Sequence, residues 1–315
     1  MNIIYSIAHG FFKLLSRLPF RTLYVLSDAI YPLIYHVVRY RRSLVRKHLV
    51  TSFPEKSEDE IRDIERGFYH FLCDYFVEAI KLLTITREKF LRRVKFSGVE
   101  EMEKCFDEGQ TCAFILGHYC NWEYLTKVGL AFQRHPDAII GVIYHPLNNE
   151  VFDRLFIEIR EHLCGTCVPK NETLRYLVNY RRKGIMSVFG YVSDQTPKWN
   201  NIHLWLPFLG HDTPVFTNGE KLMRKMNNAV FYVEITRPRR GYYNIDLQLI
   251  TRTPNELEEN AVTKEFFKRL EETIRREPKY YLWTHNRWKR THEEFDRRFK
   301  VVNGKVIPRR DGNEN

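Results

Sequence analysis

The segment with the densest set of reactive side chains spans residues 117–123 and reads GHYCNWE. It follows a compact apolar run, residues 111–116, that predicts a buried strand, and it precedes a stretch of helical spacing. A histidine beside a carboxylate is suited to general acid–base catalysis, because imidazole exchanges a proton near neutral pH and the carboxylate fixes its tautomer. The segment therefore predicts a base and an orienting partner, His118 and Glu123.

The five-residue separation of His118 and Glu123 constrains where each must lie. On one continuous α-helix, residues five apart point about 140° away from each other, so we place His118 in the turn before the helix. Asn121 would then be the N-cap, and Glu123 would reach one imidazole nitrogen from the first helical turn. Such a pair, without a protein nucleophile, suits direct attack by a substrate hydroxyl on an activated acyl group. The alternative is a histidine that only caps a helix or satisfies a core hydrogen bond.

Strand-like and helix-like segments alternate through the middle of the chain, as in α/β proteins with parallel sheets. Apolar runs predict strands at residues 111–116, 138–144 and 185–191, and helical spacing predicts helices at residues 121–132, 148–163 and 171–183. Farther along, we expect a helix at 217–226, a strand pair at 229–236 and 243–251, and a helix at 260–276. The expected fold class is α/β, a mixed and largely parallel sheet wrapped by helices.

The N-terminal region contains two apolar stretches, residues 3–15 and 22–38, with arginines around the second. Asp28, Pro32 and His36 interrupt the second stretch, which at about 17 residues has the shortest length that spans a bilayer. We expect helices that dock on a membrane surface, and an ordinary buried helical hairpin is the alternative. The expected organisation is a membrane-associated helical region at residues 1–50, a catalytic domain at 51–308 and a polar tail at 309–315.

The net charge of the chain, +11 from 50 Lys and Arg against 39 Asp and Glu, favours acidic partners. Residues 279–298 are basic and aromatic, but no recognisable nucleic-acid motif accompanies them, so we expect no nucleic-acid partner. Phospholipid headgroups, phosphorylated substrates and acidic carrier proteins remain as candidates.

The six cysteines predict neither a disulfide framework nor a metal site. Cys164 and Cys167 form a C-x-x-C pair, but the pair closes a predicted helix instead of opening one, and no second ligand pair at zinc spacing lies nearby. Cys120, next to His118, is a conceivable nucleophile, although a small buried packing residue is favoured. We therefore expect reduced thiols.

Residues 117–123 resemble the histidine-x4-acid motif of the lysophospholipid acyltransferase superfamily, in the GHxxNWE form of bacterial lipid A biosynthesis lauroyl and myristoyl acyltransferases. The similarity covers roughly residues 5 to 290 in order, far more than one short motif gives by chance. It includes Arg41-Arg42, Phe53-Pro54-Glu55, Glu78, residues 144–149, Arg160, Gly165, Ser193-Asp194-Gln195, residues 207–210 and residues 278–289.

The resemblance implies that His118 is a general base with Glu123 as its partner, and that Arg160 and Asp194 border the active site. Asn121, Trp122 and Gln195 are further site-bordering candidates. It also implies an acyl-carrier-protein thioester as the donor, a hydroxyl of a lipid A precursor as the acceptor, and a location at the inner membrane with the catalytic domain on the cytoplasmic side. No metal or organic cofactor is expected, because a thioester is already activated.

Two other functions stay open on the sequence. One is an acyltransferase for another glycolipid, an aminolipid or a lysophospholipid, since glycerolipid enzymes share the histidine-x4-acid arrangement. Those enzymes typically carry a phenylalanine-proline-glutamate-glycine block where this chain has Ser193-Asp194-Gln195. The other is a non-catalytic, basic protein that binds membrane surfaces and would tolerate the loss of His118.

Overall fold

In the computed structural model, which describes residues 3–302 and 304–309, helices cover the N-terminal third and wrap a central sheet. The helices are α1 (Ile3–Arg17), α2 (Phe20–Pro32), α3 (Arg42–Ser52), α4 (Glu58–Lys81), α5 (Arg87–Leu91), α6 (Val99–Asp107), α7 (Glu150–Glu161), α8 (Thr173–Arg182), α9 (Asn218–Met226), α10 (Ala261–Arg276) and α11 (His292–Arg298). A π-helical turn, Leu33–Val38, continues α2, and 3₁₀ segments occur at Trp122–Ala131, Trp199–Asn201 and Pro278–Tyr280.

The strands are β1 (Val94–Ser97), β2 (Cys112–Leu116), β3 (Ile139–Tyr144), β4 (Thr166–Pro169), β5 (Ser187–Val192), β6 (Trp205–Phe208), β7 (His211–Pro214), β8 (Ala229–Arg239), β9 (Tyr242–Thr251), β10 (Phe299–Val302) and β11 (Lys305–Pro308). Seven of them form one sheet in the order β1-β9-β8-β2-β5-β3-β4, and β6-β7 and β10-β11 form separate hairpins. Every neighbouring pair in the large sheet is parallel except β8 and β9. The predicted mixed, largely parallel α/β fold is confirmed.

The centre of the sheet is occupied by β2, whose five residues are all buried. Strands β5 and β8 flank it, and helices α6 and α10 pack against it. The continuous apolar run predicted such a buried strand. The polypeptide visits β3 and β4 before it returns as β5 beside β2. This return brings two chain segments that are far apart in sequence to adjacent strand ends.

The long helix α4 begins with a capping box, as the serine and glutamate three residues apart at positions 57 and 60 predict. The Ser57 hydroxyl accepts a hydrogen bond from the backbone N–H of Glu60, and the Glu60 carboxylate accepts one from the backbone N–H of Ser57. From there α4 runs for 24 residues beneath α2 and beside the 3₁₀ segment Pro278–Tyr280. It therefore carries side chains to both the N-terminal helices and the candidate site.

Within the described residues, no helix combines the length and the apolar character needed to cross a bilayer. The N-terminal helices nevertheless carry exposed apolar side chains, namely Ile7, Phe11, Leu14, Val25, Leu33, Val37 and Val38. Their other faces pack on α4 and α7. The membrane-docking role of residues 1–50 stays a prediction, and the predicted polar tail at 309–315 lies outside the described residues apart from Arg309.

Candidate active site

Two neighbouring parallel strands bring His118 and Asp194 together. Leu116 at the end of β2 pairs with Val192 at the end of β5, and each polar residue follows two positions later. Because the strands are parallel and in register, the two side chains emerge at the same edge of the sheet. The expected position of His118, in the turn between a strand and a helix, is confirmed.

Asp194 holds the imidazole of His118 by one oxygen and its backbone by the other. His118 Nδ1 lies 2.6 Å from Asp194 Oδ1, and the backbone N–H of His118 donates to Oδ2 at 3.0 Å. Burial by itself would raise the pKa of Asp194, but the charge of His118 and these hydrogen bonds hold that pKa below its ordinary value. The carboxylate is therefore ionised and accepts a hydrogen bond from the Nδ1–H of His118.

The second imidazole nitrogen is left as an acceptor. With the proton on Nδ1, Nε2 of His118 accepts a hydrogen bond from the side-chain amide of Gln195 at 3.2 Å. The His118 side chain is 16% exposed, whereas that of Asp194 is 3% exposed. An oriented imidazole with an unprotonated nitrogen near solvent is the arrangement of a general base.

Glu123 does not make the hydrogen bond to His118 that the sequence predicts. Its two oxygens instead accept from Arg160, Nε to Oε2 at 2.9 Å and Nη2 to Oε1 at 2.7 Å. Burial would raise the pKa of Glu123, but the charge and hydrogen bonds of Arg160, together with the charge of Lys127, hold it below its ordinary value. The expectation for Glu123 is corrected: Asp194 orients the imidazole, because it follows the adjacent strand, and Glu123 binds Arg160.

Lys127 anchors the chain segment that carries Arg160. Its ammonium donates to the backbone carbonyls of Ile159 at 2.9 Å and Arg160 at 2.7 Å, at the C-terminal end of α7. Burial lowers the pKa of Lys127 to about 8, and the negative end of the helix dipole favours a cation at this point. Nothing in the local sequence singled out this residue except its helical spacing, four residues after Glu123.

Asn121 precedes the 3₁₀ segment Trp122–Ala131, where the sequence predicted an α-helix with an N-cap hydrogen bond. The Asn121 side chain makes no capping bond and instead donates to Glu78 Oε2 at 2.9 Å. Glu78 also accepts from the hydroxyls of Tyr24 at 2.8 Å and Tyr243 at 2.7 Å, and burial raises its pKa. This cluster ties the site loop to α2, α4 and β9, so the predicted role of Asn121 is corrected to an internal anchor.

A second segment, residues 280–282, holds the backbone of the site loop. The N–H of Cys120 donates to the carbonyl of Tyr280 at 3.0 Å, and the N–H of Leu282 donates to the carbonyl of His118 at 3.1 Å. Cys120 has a φ of 51°, a left-handed conformation that is uncommon outside glycine. At Gly117, a Cβ atom would lie 2.8 Å from the side chain of Leu270, so a larger residue there would have to displace this buried leucine. Packing thus accounts for the glycine of the motif, and acid–base chemistry for the histidine that follows it.

Trp122 forms the apolar side of the site. Its ring stands edge-on to the imidazole of His118, with the centroids 5.0 Å apart, and tilts against Tyr75 at 4.4 Å. A narrow apolar cavity beside it is lined by Phe68, Phe71, Leu72, Tyr75, Trp122, Tyr280, Tyr281 and Leu282. Trp122 therefore borders the site as expected, and its neighbour Tyr124 is part of the core.

The cysteines are free thiols in the described structure. Cys120 is fully buried and burial raises its pKa well above the ordinary value, so a packing role fits better than a nucleophilic one. Burial also raises the pKa of Cys164, and that of Cys167 to about 12. In the part of the chain that the structure describes, no group of three or more metal-ligating side chains is suited to hold an ion.

The chain from Trp283 to Trp288 packs behind Asp194. Burial lowers the pKa of His285 to about 4, and its Nε2 accepts from the backbone N–H of Thr196 at 3.3 Å. Burial lowers the pKa of Arg287 to about 10, and its positive charge contributes to the lowered pKa of Asp194. The family resemblance included this segment without giving it a role. In the structure it supplies a buried histidine with a lowered pKa and a buried arginine close to the Asp194 carboxylate.

Comparisons with known proteins identify the family of the chain. A family model described as "Bacterial lipid A biosynthesis acyltransferase" matches residues 1–290. Among curated relatives, the "Lipid A biosynthesis palmitoleoyltransferase" of Escherichia coli (strain K12) and the "Lipid A biosynthesis acyltransferase" of Shigella flexneri are each 23% identical over 276 residues, which cover 87% of this chain and 87% of each relative. The chain therefore belongs to the bacterial lipid A biosynthesis acyltransferase family.

Proposed function

We propose that this acyltransferase moves a fatty acyl chain from an acyl-carrier-protein thioester to a hydroxyl of a lipid A precursor, with His118 as the general base. The observation that carries the proposal is the pairing of His118 Nδ1 with the buried carboxylate of Asp194 at 2.6 Å. That contact fixes the tautomer in which Nε2 takes up a proton. No nucleophilic side chain of the enzyme is needed, because the acceptor supplies the hydroxyl.

In the proposed reaction, Nε2 removes the proton from the acceptor hydroxyl while its oxygen attacks the thioester carbonyl carbon. The new C–O bond gives a tetrahedral oxyanion, which collapses with cleavage of the C–S bond. The imidazolium returns its proton to the departing thiolate. Asp194 stabilises the imidazolium in between. Since the Gln195 amide occupies Nε2 in the free protein, the acceptor hydroxyl must displace it.

We assign Glu123 the role of orienting the guanidinium of Arg160. The carboxylate engages Nε and one terminal nitrogen, which sets the plane of the guanidinium. The Arg160 side chain is 21% exposed, and among the described contacts Nη1 has no hydrogen bond to protein. Its N–H groups can donate to the oxyanion or to a phosphate of the acceptor. Glu123 then acts as a positioning residue.

The partners and location follow from charge and apolar surface. A net charge of +11 favours an acidic carrier protein and anionic lipid. The exposed apolar side chains of α1, such as Phe11 and Leu14, offer a face that can enter a bilayer interface. We therefore propose docking on the inner membrane, with the catalytic domain on the cytoplasmic side where acyl carrier protein is found.

The test is acyl transfer by purified His118→Ala protein, with an acyl-carrier-protein thioester and a lipid A precursor. We expect a loss on the order of 100-fold or more, the usual contribution of a general base. His135→Ala is the matched control, because His135 also pairs with an aspartate, Asp107 at 2.7 Å, outside the site. Transfer near the wild-type rate in a folded His118→Ala protein would exclude the mechanism. Preference for lysophosphatidic acid as acceptor would exclude the proposed acceptor.

A further inference from the structure

A pocket rich in arginine opens where the N-terminal apolar segment turns into α3. It has a volume of about 520 Å³ and is lined by Arg39, Arg42, Ser43, Arg46 and Glu65. We call it the arginine pocket. Its three guanidinium groups and one carboxylate leave a surplus of two positive charges, and neither the acyl-transfer mechanism nor the core uses them.

Glu65 binds two of the arginines, each through its Nε atom. Nε of Arg42 donates to Glu65 Oε1 at 2.9 Å, and Nε of Arg46 donates to Oε2. The carboxylate is fully buried, and the hydroxyl of Tyr35 also donates to it at 2.9 Å. Because both arginines pair through Nε, their terminal nitrogens stay available: among the contacts of the described residues, none of these four atoms has a hydrogen-bond acceptor. The ion pairs therefore preorganise donors that a ligand can use.

The backbone brings Arg39 to the same pocket. Arg39 and Arg41 both have a φ of 51°, which reverses the chain between the π-helical turn and α3. The reversal is held at two points, where Arg41 Nη1 donates to the carbonyl of Thr284 at 2.8 Å and the Tyr69 hydroxyl donates to the carbonyl of Tyr40 at 2.5 Å. Arg39 Nε donates to the carbonyl of His36, so its terminal nitrogens are also free of protein acceptors among the described contacts. The pocket is thus built by a fixed turn.

Exposed apolar side chains immediately precede the pocket along the chain. Val37 and Val38, immediately before Arg39, are 72% and 57% exposed, and Leu33 is 50% exposed. Guanidinium groups match the geometry of phosphate oxygens, and exposed aliphatic side chains beside them match the acyl region next to a headgroup. A soluble phosphate compound would use the first feature only.

We propose that the arginine pocket binds the phosphate of an anionic lipid headgroup. This site extends the proposed membrane docking by giving it a chemically selective contact, and it does not depend on the role of His118. The phosphate would sit against the terminal nitrogens of Arg39, Arg42 and Arg46, with the Ser43 hydroxyl as a further donor, while the lipid chains lie toward Leu33 and Val37.

The first experiment titrates the full chain with dihexanoyl phosphatidate, a soluble lipid that needs no bilayer, and with inorganic phosphate. Arg39→Gln and Ser43→Asp change the pocket without removing a partner of the buried Glu65. We expect each to weaken phosphatidate binding about tenfold or more, the usual effect of losing one charged hydrogen bond. Lys47→Gln, which removes the same charge from α3 but lines no part of the pocket, is the control. Equal losses in Arg39→Gln and Lys47→Gln would overturn the proposal.

The second experiment measures flotation with phosphatidylcholine vesicles that contain or lack phosphatidate. We expect the wild-type chain to prefer the phosphatidate vesicles and Arg39→Gln to lose that preference. Inorganic phosphate that binds as tightly as dihexanoyl phosphatidate would overturn the assignment to a lipid. Neither assay contains an acyl donor, so a failure of the pocket and a failure of the His118 mechanism are distinguished.

Discussion

The Asp194→Asn variant tests which carboxylate orients His118: Asp194, as in the structure, or Glu123, as the sequence predicted. Asp194 accepts two hydrogen bonds from the same residue, Nδ1–H at 2.6 Å and backbone N–H at 3.0 Å. An asparagine has one oxygen and one NH₂ group, so it cannot accept both. If its oxygen takes the backbone N–H, its NH₂ faces Nδ1 and favours the tautomer with the proton on Nε2. That tautomer cannot accept the proton of the acceptor hydroxyl.

The size of the effect follows from what is lost. A general base contributes about 10²- to 10⁴-fold, and the corresponding aspartate-to-asparagine change in serine-protease triads costs about 10⁴-fold through the same tautomer error. We therefore expect Asp194→Asn to lower acyl transfer by about 10³- to 10⁴-fold, or about 4 to 5.5 kcal/mol of transition-state stabilisation. Most of the buried hydrogen bonding survives, so the fold should persist.

The assay is acyl transfer from a purified acyl-carrier-protein thioester to a lipid A precursor, with thermal unfolding measured on the same samples. Asp107→Asn is the matched control, because Asp107 also pairs with a histidine, His135, but outside the site. If Asp194→Asn were folded and within tenfold of the wild-type rate, Asp194 would not orient the base. A far larger loss in Glu123→Gln than in Asp194→Asn would restore the pairing that the sequence predicted.

Three further outcomes follow from the same structure. Glu123→Gln places an NH₂ group against an N–H of Arg160, so the rate of acyl transfer should fall by about 10- to 100-fold, the cost of disturbing a buried charged pair. Arg160→Ala should lower the rate in the same assay at least as much. Burial lowers the folded-state pKa of Lys127 to about 8, so the charged side chain destabilises the folded state below pH 8. This destabilisation disappears as the pH rises from 8 toward the ordinary pKa of lysine, because the folded protein has then lost a proton that the unfolded chain still binds. Denaturant unfolding should therefore show wild-type stability gaining about 3 kcal/mol relative to Lys127→Met between pH 8 and 10.5, and an unchanged difference would contradict the buried ammonium. Phe11→Asp combined with Leu14→Asp should release the chain from vesicles without changing its melting temperature, and undiminished flotation would show that α1 does not dock.

Local features were predictable because they depend on neighbours along the chain. The capping box of Ser57 and Glu60 involves only residues three apart, and the structure reproduces it. The apolar run at residues 111–116 became β2 with one residue fewer, and the predicted helix at 260–276 became Ala261–Arg276. Short strands without a long apolar run, such as β1 and β4, were missed because four residues carry too little periodicity.

By itself, the sequence determined the α/β class and the location of His118 after a buried strand, which follow from apolar periodicity along the chain. Its resemblance to a known family indicated Glu123, Arg160, Asp194 and Gln195 as candidates around His118. Which carboxylate meets which cation was decided only by the tertiary structure. Asp194 reaches His118 because β5 returns beside β2, and Glu123 turns to Arg160 because Lys127 holds the end of α7 against it. A hydrogen bond requires two atoms to approach within about 3 Å, whereas sequence periodicity specifies only the direction in which a side chain leaves its own element.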